Sequence, residues 1–160
     1  MTTSLLKKRP SSDMLNELIA LSKENIALAE KEFGHLSEEQ LFWNPDSSSW
    51  SIAQCLAHLN AFHRFYVPVF VERVKNSRFR EPNDFFQSSP LGHSTFTKVK
   101  LGKLKNVKRK LKSPKDYNPL VNQNLKTENV VQDFFKYQKM LIETLENAKE
   151  INIRKTKTSF

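Results

Sequence analysis

The chain has a single cysteine, Cys55, and only three glycines in 160 residues. One thiol cannot close an internal disulfide, and so few glycines disfavour an all-β design built on many tight turns. Long apolar runs are missing as well. No window approaches the roughly 18 to 20 uninterrupted apolar residues of a membrane-spanning helix, and the opening MTTSLLKKRPSSD lacks the apolar stretch of a secretory signal. The expectation is a cytoplasmic protein with no integral membrane association. There is also no Gly-rich phosphate loop, no CxxC pair and no GxSxG elbow. Nucleotide binding through such loops, thiol redox chemistry and serine hydrolysis therefore have no support.

What is present is the pattern of one all-α domain. A chain of 18.7 kDa can bury one core and is too short for two, and 38% hydrophobic residues make it globular. Residues 1–11 read as a flexible polar arm, and residues 12–150 as a helical bundle. Leu15, Leu18, Ile19, Ile26, Ala29 and Phe33 recur at helical spacing and predict a first helix over 12–33, capped by Ser11 or Ser12 and stopped by Gly34. Ser37 with Gln40 and Ser51 with Gln54 are capping-box pairs, the second preceded by Trp50, which is placed to staple onto Cys55 or Leu56. Trp43 and Trp50 are expected to pack the loop between the first two helices. A second long helix runs from Ser51 or Ile52 to about Asn76, with Ile52, Leu56, Leu59, His63, Tyr66 and Phe70 on one stripe and Pro68 bending it without ending it. A last helix over 128–149, capped by Thr127, buries Val130, Val131, Phe134, Phe135, Gln138, Leu141, Ile142 and Leu145. Between them, residues 77–127 form a long Pro-rich crossover, with a short helix expected near 100–111. Residues 151–160 are a basic tail.

The formal charge of +9 is local. Lys98 to Lys115 holds nine Lys or Arg and no acid, and the seventeen basic residues elsewhere equal the seventeen acids. The segment is patterned like an amphipathic helix, but it has no interleaved aromatics for base stacking and matches no nucleic-acid module. It reads as a solvated connector, and nucleic acid is not the expected partner.

The run LSEEQLFWNPDSSSWSIAQCLAHL resembles the DinB-like superfamily, through Leu36 to Leu41, then Asn44, Pro45, Trp50, Ser51, His58 and Leu59. The resemblance implies a four-helix bundle with one long crossover. It also implies, as in many members, a divalent metal such as zinc, nickel or manganese held by three histidines and used to activate a small-molecule thiol for transfer. His58 stands at the first ligand position. The family's other two ligands form an HxxxH pair on a last helix, and here no histidine follows His93. Either a final helix is lost, or this is a short relative that does not bind metal by that route. A catalytic zinc site needs three protein ligands, so His58 alone cannot make one.

Each histidine also has a plainer reading. His58 lies at the edge of the second-helix stripe, where a hydrogen bond to a neighbouring helix or water accounts for it. His63 lies nearly at the stripe centre, about 140° around the helix from His58, so the two cannot share an ion. His35, His93, Glu32 and Glu39 show no spacing that predicts convergence. Cys55, beside the stripe, reads as a small buried hydrophobe. Two functions stay open: a metal-dependent thiol transferase retaining His58, and a non-catalytic scaffold. In the scaffold reading, a homodimer, another helical partner or a hydrophobic ligand covers the groove left where a fourth helix would lie.

Overall fold

The computed structural model describes residues 8–100, 111–122, 124–125 and 127–158. Three long helices carry it: α1 (Ser11–Phe33), α3 (Ile52–Lys75) and α5 (Val130–Asn147), with short helices α2 (Glu38–Phe42) and α4 (Pro90–Val99) in the connections. Strands β1 (Arg9–Pro10) and β2 (Phe85–Phe86) pair antiparallel, Arg9 opposite Phe86. The all-α expectation holds.

Two apolar clusters fix the directions of the helices. Ala29 near the end of α1 packs with Ala53, Leu56 and Ala57 at the start of α3 and with Val130, Val131 and Phe134 at the start of α5. At the other end, Met14 and Leu15 of α1 pack with Ala148, against Val74, Leu145 and Ile153. Helices α3 and α5 therefore run the same way and α1 runs against both, which requires the crossover between them to return the length of the bundle. Helix α5 packs on both α1 and α3, while α1 and α3 scarcely touch each other.

The local signals act unevenly. Both capping boxes form: Ser37 Oγ accepts from the Gln40 N–H, and Ser51 Oγ accepts from the Gln54 N–H at 3.1 Å while Gln54 Oε1 accepts from the Ser51 N–H at 2.9 Å. Helix α3 passes through Pro68 unbroken, the ring lying on an exposed face. By contrast, neither Ser11 nor Ser12 caps α1. The Ser11 N–H donates to the Asp84 carbonyl at 2.9 Å and its Oγ accepts from Asn83 Nδ2 at 2.8 Å, so the crossover satisfies this helix end. Thr127 does not cap α5 either. Asn129 precedes the helix at φ 52°, a left-handed conformation that asparagine tolerates. Helix α4, unexpected from the proline content, starts with Ser89 accepting from the Gly92 N–H and with Pro90 in the first turn, where its missing donor costs nothing. Most of the expected basic helix near 100–111 lies outside the described residues.

The C-terminal tail packs on the bundle. Ile151 is 2% exposed, the Asn152 N–H donates to the Phe79 carbonyl at 2.9 Å, and Ser77 Oγ and Thr156 Oγ1 lie 2.6 Å apart.

Candidate functional site

The capping box at the start of α3 sets the position of His58. Asn44 Nδ2 donates to the Ser49 carbonyl at 2.8 Å and to Gln54 Oε1 at 3.0 Å, tying the preceding loop to the helix entry. Trp50 is thereby held with its ring centroid 5.0 Å from that of His58. Phe62, one turn on, meets the other side of the imidazole at 5.1 Å, and Tyr117 from the crossover stacks on Phe62 at 4.2 Å. His58 Nδ1 lies 2.5 Å from the Tyr117 carbonyl oxygen. A carbonyl only accepts, so this contact places a ring proton on Nδ1, and the neutral tautomer it selects presents its lone pair at Nε2. A metal-ligating imidazole uses the same device, one nitrogen oriented by a carbonyl and the other presented.

The companions are missing. Among the described residues no three His, Cys, Asp or Glu side chains stand together in a way that could hold a metal ion. The described residues thus do not fit the family's three-ligand centre, and no chemical step is assigned to a metal. His63 faces elsewhere: its Nε2 is 3.3 Å from Gln138 Nε2, and its ring lies against Phe134 and Tyr137 of α5. Burial holds the His63 pKa below its ordinary value. Near it, at the α3/α5 interface, His63 Nδ1, Gln138 Oε1 and Asn60 Oδ1 find no hydrogen-bond partner among the described residues. His35 is exposed at the end of α1 and His93 sits on α4, and neither forms a three-ligand group with His58 among the described residues.

Three sequence expectations are corrected here. Cys55 is exposed, because it lies about 140° around α3 from Asn60, which faces α5. Partial burial pushes its thiol pKa up, the opposite of nucleophilic activation. Trp43 is 68% exposed and packs no loop, whereas Trp50 is half-buried against His58. Leu59, placed on the buried stripe, is 44% exposed; the residues of α3 buried in the core are the small ones, Ala53, Ala57 and Asn60, together with Leu56 and Val67.

The far end of the stripe, at Phe70, borders an opening. Where α1 and α3 diverge on either side of α5, a groove of about 530 Å³ is lined by Leu18, Phe70, Val74, Leu141 and Leu145 and closed at one end by Ile153 of the tail. Leu18 on its wall is 40% exposed, and Leu21 and Leu28 continue the apolar face along α1 at 46% and 55%. Sequence reasoning did not find Tyr117 as the partner of His58 or Gln138 as that of His63. These contacts span 59 and 75 residues and leave no local signal.

A bundle of long antiparallel and parallel helices joined by one long crossover, with His58 near the start of the second long helix, is the arrangement expected of one protein class. The sequence model of the DinB superfamily matches residues 23–158. The chain belongs to the DinB superfamily. No curated protein and no solved structure matches it. No helix among the described residues is long and apolar enough to cross a membrane.

Proposed function

We propose that this chain is a binding module of the DinB superfamily whose site is the apolar groove between α1 and α3. One observation carries the reading. The groove is lined by aliphatic and aromatic side chains from all three long helices, and its volume falls within the roughly 300 to 1,000 Å³ usual for small-ligand sites. Exposed apolar faces of this kind mark places where something binds. The test is fluorescence titration with N-phenyl-1-naphthylamine, a neutral apolar probe. Saturable binding that Leu18→Glu weakens at least tenfold, and that His58→Ala leaves unchanged, supports the reading. No saturable binding, or equal sensitivity to both substitutions, refutes it.

A second reading follows the family's metal-dependent thiol transfer, with His58 as one ligand of zinc, nickel or manganese. The oriented imidazole, Nδ1 on the Tyr117 carbonyl and Nε2 presented, favours it. Calorimetric titration with each ion is the check. This reading expects a stoichiometric site abolished by His58→Ala, and the first expects none tighter than weak surface binding.

A further inference from the structure

The groove does not end in plain solvent. Beside its tail-closed end lies a second cavity, of about 310 Å³, at the C-terminal end of α3. Its lining includes Arg73, Arg78, Lys155 and Lys157, with Glu72 as the single carboxylate. None of the four cations forms an ion pair with a described acid. Arg73 and Thr156 line both cavities, so the cationic mouth lies immediately beside the apolar groove.

The mouth is also held in shape. Phe79 carries the Arg78 guanidinium 5.0 Å and the Lys155 ammonium 5.6 Å from its ring centroid. The tail is tied down beside it by the contact of Ser77 Oγ with Thr156 Oγ1 and by the Asn152 N–H on the Phe79 carbonyl. At the end of α3, where free carbonyls would repel an anion, Arg80 Nη2 donates to the Lys75 carbonyl at 2.7 Å.

An apolar trough beside four cations and a single carboxylate matches a molecule that is aliphatic along its length and anionic at its tip. We propose that the groove takes a free long-chain carboxylate, its alkyl chain lying along Leu18, Phe70, Leu141 and Leu145 and its headgroup held by Arg73, Arg78 and Lys155. Arginine forks suit a planar carboxylate, and the headgroup stays half in water, where salt screens it. The inference rests on the groove being the binding site and adds the class of its ligand.

The test is displacement of N-phenyl-1-naphthylamine from the full chain by laurate and, in parallel, by 1-dodecanol, which has the same chain length and no charge. Laurate binds at least tenfold tighter than dodecanol at low salt, and the advantage shrinks as salt rises. Arg78→Glu and Lys155→Glu, both at exposed positions outside the groove lining, remove that advantage and leave dodecanol and probe binding unchanged. Each two-carbon extension from decanoate to myristate tightens binding about fivefold, less than the roughly fifteenfold of complete burial, because the groove is open on one side. If the probe binds but laurate and dodecanol compete equally, the carboxylate proposal fails while the groove reading stands. Absence of probe binding overturns both. Co-sedimentation with phosphatidylglycerol vesicles without binding of monomeric laurate, or a dimer in sedimentation that excludes the probe, overturns the carboxylate proposal in favour of a bilayer or a second copy.

Discussion

Asn60 gives the sharpest test of how α3 and α5 are joined. Its side chain is 1% exposed; Nδ2 donates to the Val130 carbonyl at 2.8 Å in the first turn of α5, and Oδ1 has no hydrogen-bond partner among the described residues. The bond contributes about 1 kcal/mol net, while the orphaned oxygen costs about 1 to 3 kcal/mol in lost hydration. Asn60→Leu, of similar shape, removes both and is expected to leave stability within about 1 kcal/mol of the parent. Asn60→Asp exchanges the donor for a buried carboxylate aimed at a carbonyl and is expected to cost about 3 kcal/mol or more at pH 7. That is a large part of the roughly 5 to 15 kcal/mol that holds a domain of this size. The deficit shrinks as pH falls, because the buried carboxyl is expected to titrate above its unfolded value of about 3.9, and its protonated form regains a donor. Urea unfolding followed by far-ultraviolet circular dichroism at pH 7 and pH 4.5 measures all three. A loss above about 3 kcal/mol for Asn60→Leu, or none for Asn60→Asp, refutes the argument that this contact is only half satisfied.

Other expectations follow from single groups. His63 is held below its ordinary pKa by burial, so the fold disfavours its charged form. Its contribution is harmless above the unfolded pKa of about 6.5 and destabilising as pH falls below it, so urea midpoints decline from pH 7.5 to 5 and His63→Gln flattens part of that slope. Asp46 accepts from Ser48 and Ser49 and titrates at about 2; carbon-detected NMR of a Ser48→Ala/Ser49→Ala variant moves it back toward 3.8. Ser51→Ala removes a buried cap and is expected to cost about 1 to 2 kcal/mol by urea unfolding. Phe134→Ala, at 6% exposure in the cluster joining all three long helices, costs about 3 to 5 kcal/mol in the same assay.

Features closed by neighbouring residues were legible in the sequence. Ser51 with Gln54 and Ser37 with Gln40 mark their helix starts because both partners lie within one turn. The start of α1 was misread because Asn83 and Asp84, more than seventy residues on, satisfy Ser11. Along α3 the helical period was right and the buried face turned from the expected one: Leu56, Ile52 and His63 do meet the core or α5, and Leu59 does not. Leu59, Tyr66 and Phe70 are the bulkier apolar residues, but α5 packs on Ala53, Ala57 and Asn60, where small side chains let the helices approach. Of these bulky residues Phe70 borders the groove, while Tyr66 lies against Phe62 and Phe65. His58 was legible as the family's ligand position, yet its bond to Tyr117 depends on the fold of the crossover. The cationic mouth draws on Arg73, Arg78, Lys155 and Lys157 from opposite ends of that crossover, and a count of charge along the chain could not assemble it.

Backbone amide NMR of the isotope-labelled chain, recorded with the neutral naphthylamine probe and then with zinc, tests the central claim most directly. The account predicts that the probe shifts Leu18, Phe70, Val74, Leu141 and Leu145 together, while zinc leaves Trp50, His58 and Phe62 in place. Probe shifts scattered over the surface, or a saturating zinc response centred on His58, would contradict it.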